Sequence, residues 1–143
     1  MIIEEISTDS FDASYDDETR LLRVHYKGML TPDVTVQFYR WLGEVITRRA
    51  QELMQVRGSI YDFRDLKGFA STNLTSAQRQ SQQLNSKADM SHIPVALIAK
   101  DRMQAELLRV ELKISPQQER KALVWSEEEA LEFIARFNPV NQP

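Results

Sequence analysis

The stretch GSIYDFRDLKGFASTNLTSAQ, Gly58 to Gln78, decides the fold. Gly58 to Phe63 is a short run of apolar and β-favouring residues opened by glycine, which predicts a strand. From Ser71 onward, Leu74, Ala77, Ser81, Leu84 and Ala88 recur at helical spacing, which predicts a helix over 71–89 with a thin apolar stripe. A strand that runs into a helix is the unit from which parallel sheets are built. Between the two sit Asp62, Arg64, Asp65 and Lys67, then the hydroxyls of Ser71 and Thr72. Sites in open α/β sheets gather beyond the carboxyl ends of the strands. A helix N-terminus there adds unpaired N–H groups and a positive dipole end. The junction from Asp62 to Thr72 is therefore the candidate site.

The pattern continues on both sides. Downstream, Pro94 to Ala99 (PVALIA) is the most apolar strand and belongs in the sheet interior. Asp101 then caps a helix with Met103, Leu107, Val110 and Ile114 on one stripe, Leu108 and Leu112 beside it, and Ser115-Pro116 as its stop. Lys121 to Trp125 is a last strand, and Ser126 with Glu129 forms a capping box for a helix through Ala130, Phe133, Ile134 and Phe137.

Upstream, Thr31-Pro32-Asp33 is a strong helix start. Val34, Phe38, Trp41, Leu42, Val45 and Leu53 share a face of the helix that follows, which should run to about Met54. Gly43 inside it suggests a close approach to the sheet. Phe11–Tyr15 and Leu21–Tyr26 predict a hairpin around Asp16 to Thr19, with Ile2 to Ile6 extending or preceding its first strand. The expectation is an α/β fold: a mixed sheet of about five strands, with an antiparallel N-terminal hairpin, then alternating β-α units, and four helices. Residues 1–137 read as one domain and 138–143 as a loose tail.

Composition narrows the function classes. The chain has 143 residues, a formal net charge of -3 and no cysteine, so disulfides, thiol nucleophiles and thiolate metal sites are excluded. Lys and Arg are spread along the chain, without the concentrated basic face that nucleic-acid binding needs. The longest apolar run, Val95 to Ala99, is too short to span a bilayer. Acids stand in MIIEEISTDS where a secretory signal needs a basic region, so a cytoplasmic setting is expected. His25 and His92 have no metal-ligand or triad spacing, and no glycine-rich phosphate loop is present. No cofactor and no metal are expected.

This order, with YDFRDL on the middle strand, PVALIA on the next and VWSEEEALEFI at the end, resembles the SpoIIAA-like family, which has the STAS fold and is related in structure to CRAL-TRIO lipid-transfer domains. The resemblance covers nearly the whole chain. It implies that the loop after the middle strand and the start of the next helix contact a protein partner. It also implies a phosphoacceptor serine there, for which Ser71 is the nearest counterpart. The residue before it is Ala70, where the family pattern has aspartate.

Each candidate also has a plain structural use. Asp62 and Asp65 can turn the chain and bind backbone, Arg64 can pair with either acid, and Ser71 or Thr72 can cap the helix. Three functional classes follow: a non-enzymatic regulatory or protein-interaction module, a binder of a small apolar or lipid-like ligand, and an enzyme, for which no nucleophile–base pair is readable. A homodimer through the hairpin edge, enlarged by an exposed Tyr15 or Tyr26, is also expected.

Overall fold

The computed structural model describes residues 1–70, 73–114 and 118–137. Its strands are β1 (Ile2–Ser7), β2 (Phe11–Asp16), β3 (Leu21–Tyr26), β4 (Met29–Leu30), β5 (Gly58–Asp62), β6 (Gly68–Phe69), β7 (Val95–Ile98) and β8 (Lys121–Val124). Six of them form one sheet in the order β1-β2-β3-β5-β7-β8. The first three pair antiparallel and the rest parallel. The small β4 and β6 pair in parallel with each other. The helices are α1 (Pro32–Arg48), α2 (Asn73–Lys87), α3 (Arg102–Ile114) and α4 (Glu127–Arg136), with 3₁₀ segments at Ala50–Gln55 and Gln118–Arg120.

The α/β class, the antiparallel start and the parallel remainder agree with the sequence reading, and its counts fall short. The sheet has six strands because Ile2–Ser7 is a strand of its own. It hides from pattern reading because Glu4 points at α1, where Arg48 and Arg49 both donate to its carboxylate. There are more helical segments than the expected four, since the end of the predicted first helix is 3₁₀. Arg49, at φ -121° and ψ 35°, leaves the helical region and breaks it.

Strand alternation divides the core. Leu22, Val24, Tyr26, Phe63, Val95 and Leu97 face α1, α2 and α3, while Leu21, Ile60, Ala96, Ile98 and Val124 face α4. Phe38 of α1 is fully buried, with the rings of Phe11, Tyr26 and Tyr61 about it at 5.9, 6.3 and 5.7 Å. Thr31 caps α1, and its Oγ accepts the Val34 N–H at 3.3 Å. Gly58 makes the close approach that was expected of Gly43: a Cβ there would lie 2.9 Å from the Ile134 side chain, whereas nothing lies within 4 Å of one at Gly43.

Two further expectations are corrected. Met103, Leu107 and Val110 are not core; all three are at least half exposed, and α3 packs through Gln104, Ala105 and Leu108. Both stripes have helical spacing, and the smaller one fits against β8 and α2. The hairpin is not a sheet edge either, because β1 covers it, and Tyr15 and Tyr26 are buried. The roles read for Leu74, Leu112 and Ile114, for Ser115-Pro116 and for the tail at 138–143 lie outside the described residues and side chains.

Candidate functional site

The junction leaves the carboxyl end of β5 and is held from below. Phe63 and Leu66 are buried, and the Phe63 ring stacks on Tyr26 with centroids 5.1 Å apart. Gln104 of α3 donates to the Phe63 carbonyl at 2.7 Å and accepts the Lys100 N–H at 2.8 Å. The backbone N–H of Lys67 donates to the Gly28 carbonyl and that of Ala70 to the Leu30 carbonyl. The loop therefore presents its charged side chains on a fixed backbone.

Two of those side chains, Asp62 and Arg64, are engaged with each other. Arg64 grips Asp62 in a fork, Nε to Oδ1 at 3.0 Å and Nη2 to Oδ2 at 2.8 Å. The Arg64 backbone N–H donates to the same Oδ1. Burial alone would raise the Asp62 carboxyl; the Arg64 side chain and N–H outweigh it and hold the group below the ordinary aspartate range. Asp65 accepts from His25 Nε2 at 2.6 Å, and His25 Nδ1 lies 3.7 Å from Asp12. Lys27 donates to Asp12 at 3.2 Å. Helix α4 packs against β7 and β8, and the same sheet face further along, with Asp12, Arg23 and His25, stays part-exposed. The junction and this open face thus share one belt of alternating charge.

Within the belt, Ser7 directs its hydroxyl to Asp12 and not to the His25 imidazole. Among the described residues no group of three or more His, Asp or Glu is placed to hold a metal ion. None of the helices there is long and apolar enough to cross a membrane.

A second feature is a partly open cavity between the sheet and helices α1 and α2. Its volume is about 150 Å³, and its walls include Tyr39, Tyr61, Ser81, Leu84, Asn85 and Arg120. Arg120 is buried, and its Nη1 donates to the Ile93 carbonyl at 2.8 Å. Burial pushes its guanidinium below the ordinary arginine value. The void follows from the residues of α2, whose inward positions Ala77 and Ser81 are too small to fill the space above the sheet.

Neither a family model nor a curated protein matches the sequence. Solved structures do match. An uncharacterised protein of the DUF3478 family with a SpoIIAA-like fold, from Shewanella loihica PV-4, is 20% identical. It superposes with a TM-score of 0.51 over 94% of this chain and 92% of that one. This chain has a SpoIIAA-like fold. A proposed anti-sigma factor antagonist from Thermotoga maritima, 14% identical, superposes with a TM-score of 0.58 over 88% of this chain and 95% of its own.

On this SpoIIAA-like frame, Asp62, Arg64, Asp65 and Lys67 sit together at the carboxyl end of β5, with the Arg64 and Lys67 side chains outward. Ser71 and Thr72 lie outside the described residues. Sequence reasoning passed over His25, Asp12 and Lys27. Strand alternation places Asp12 and His25 on the polar face, but only the β2–β3 register, Asp12 opposite His25, brings them together. It also missed Asn73, a buried side chain at the start of α2 that accepts a hydrogen bond from the Thr35 hydroxyl, and the cavity residues Asn85 and Arg120.

Proposed function

We propose that this chain acts as a non-enzymatic regulatory module in the cytoplasm, one domain over residues 1–137, that binds a protein partner through the junction at residues 62–72. The observation that carries this reading is the belt of charge: Asp62, Arg64 and Asp65 join Asp12, His25 and Lys27 on one part-exposed, hydrogen-bonded surface. Charges of both signs in fixed positions suit specific recognition of a protein surface, where complementary potential selects the partner. A fold neighbour proposed as an anti-sigma factor antagonist would exercise that role on another protein, and this likeness supports the reading. In this proposal Lys67, Ser71 and Thr72 complete the contact surface, and Ser71 is the phosphoacceptor candidate.

The test separates binding from folding. Arg64→Ala and Arg64→Glu are compared with the parent chain for the amount of copurifying partner, at temperatures where all three remain folded by circular dichroism. Loss of partner, greatest for the charge reversal, supports the proposal. Unchanged association with a lowered unfolding midpoint makes the junction scaffold and sinks it.

A second reading is favoured by the cavity: the module holds a small, mainly apolar ligand under α1 and α2. A cavity of about 150 Å³ is large enough to take up a benzene-sized molecule. Detection of chain-bound small molecules by mass spectrometry after native purification tests it directly.

A further inference from the structure

Asn85 carries the next step. Its side-chain nitrogen donates to the Ser81 carbonyl at 2.9 Å, one turn back on α2, and lies 3.4 Å from the Ser81 hydroxyl. A carbonyl accepts only from a donor, so this bond fixes which end of the amide is nitrogen. The oxygen is therefore committed to the other direction. Among the described residues Asn85 Oδ1 is a buried side-chain acceptor with no hydrogen-bond partner. Buried acceptors in folded proteins are almost always satisfied, and one that is not calls for a missing donor. Asn85 is also one of the residues that line the cavity.

We infer that the cavity binds a small apolar molecule that carries a neutral hydrogen-bond donor, a hydroxyl in the simplest case, and that this donor is received by Asn85 Oδ1. This inference rests on the second reading above, and it adds the chemistry of the ligand. The requirement comes from the acceptor. A hydrocarbon would fill the space and leave Oδ1 unmet. A carboxylate has no proton to give and would bring its charge against the amide oxygen. A hydroxyl gives its proton to Oδ1 and, being neutral, brings no charge against the amide oxygen. The apolar body then rests on residues such as Leu42, Leu84 and Leu97.

The experiment uses one carbon frame with three end groups: toluene, benzyl alcohol and benzoate, titrated into the folded chain and followed by amide NMR shifts. Transferring a hydroxyl into an apolar site without a partner is costly. An ordinary hydrophobic cavity would therefore bind toluene far better than the alcohol. Here the alcohol is expected to bind at least as tightly as toluene, and benzoate at least tenfold more weakly. Asn85→Leu is expected to weaken the alcohol about tenfold, the effect of one hydrogen bond, while toluene binding persists. Asn85→Ala serves the same purpose if the leucine variant does not fold, and the parent series decides without either.

Toluene bound more tightly than the alcohol would overturn the inference and leave the ligand-binding reading standing. So would an alcohol-to-toluene ratio unchanged in Asn85→Leu. Benzoate bound tighter than the alcohol would also overturn it and make Arg120 the anchor of an anion. No binding of any of the three, with a crystal structure showing water alone on Oδ1, would overturn both.

Discussion

Ala77→Leu tests whether the cavity exists in solution. Ala77 is buried on the inward face of α2 and lines the void. Leucine adds three carbons. At about 0.8 kcal/mol for each buried methylene, the gain is at most about 2.4 kcal/mol. Fixing the leucine rotamer costs about 0.5–1 kcal/mol, which leaves roughly 1.5 kcal/mol of added stability. Leucine and alanine are both good helix formers, so α2 itself is little affected. Unfolding entropy of about 2.1 cal/mol/K per residue gives roughly 0.3 kcal/mol/K for this chain. The midpoint should therefore rise by about 5 °C in calorimetry, and the urea midpoint should rise with an unchanged slope. The same variant should lose toluene binding. The reasoning is refuted if Ala77→Leu destabilises by the 1–3 kcal/mol typical of overpacking. That outcome would mean that the sheet and α2 close on each other and leave no space.

Three other predictions follow from the same structure. Gly43→Ala should raise stability by about 1 kcal/mol, since a helical glycine with open space around its Cβ gives up only its excess backbone freedom; Gly58→Ala should lower it by about 1–3 kcal/mol, because the new methyl meets Ile134, and equal signs in urea denaturation would refute the assignment. The Glu4 carboxyl is held below its ordinary value, first by Arg48, against burial, and then by Arg49. The stability from that pairing is present above about pH 4.3 and is lost as pH falls through the folded-state value. Glu4→Gln should therefore cost about 1–3 kcal/mol near neutrality, with the two stability curves converging in acid. Native-state hydrogen exchange should protect Thr75 to Lys87 less than Val95 to Ile98, and equal protection would contradict a thinly packed α2.

What could be read from the sequence was what local chemistry determines. Thr31-Pro32-Asp33 and Ser126 with Glu129 mark helix starts within a few residues of chain, and both caps form, the Glu129 N–H donating to Ser126 Oγ at 3.1 Å. Val95 to Ile98 is buried at every position because β7 has a strand on each side and helices on both faces. What failed needed contacts distant in sequence. Met103, Leu107 and Val110 satisfy helical spacing as well as Ala105 and Leu108 do, and periodicity does not say which stripe meets the sheet. His25 looked inert because its partner, Asp65, is 40 residues away. Arg120 precedes an apolar strand, and the sequence carries no local signal that the chain brings it against the Ile93 carbonyl. The cavity had no signature of its own, since a void is a property of packing between elements.

One sequence feature nevertheless bears on both proposals. The thin stripe of α2 reads as a weakness in packing, and in the folded chain it is the wall of the cavity. The junction runs directly into that helix: Ala70 is tied to Leu30, and Asn73, which opens α2, is tied to Thr35 of α1. A partner at the junction and a ligand under the helix would therefore act on neighbouring parts of one element. Coupling between two such sites is reciprocal by thermodynamic necessity: if the ligand changes partner affinity by some factor, the partner changes ligand affinity by the same factor. The two surfaces are still separable by mutation. Ala77→Leu fills the cavity from inside and leaves Arg64 and Asp65 untouched, while Arg64→Glu alters the belt and leaves Asn85 in place. If each variant removes only its own binding event, the sites are independent neighbours. If filling the cavity changes partner affinity while Arg64 still grips Asp62, α2 carries the coupling, because it is the described helix that lines the void and also continues the junction.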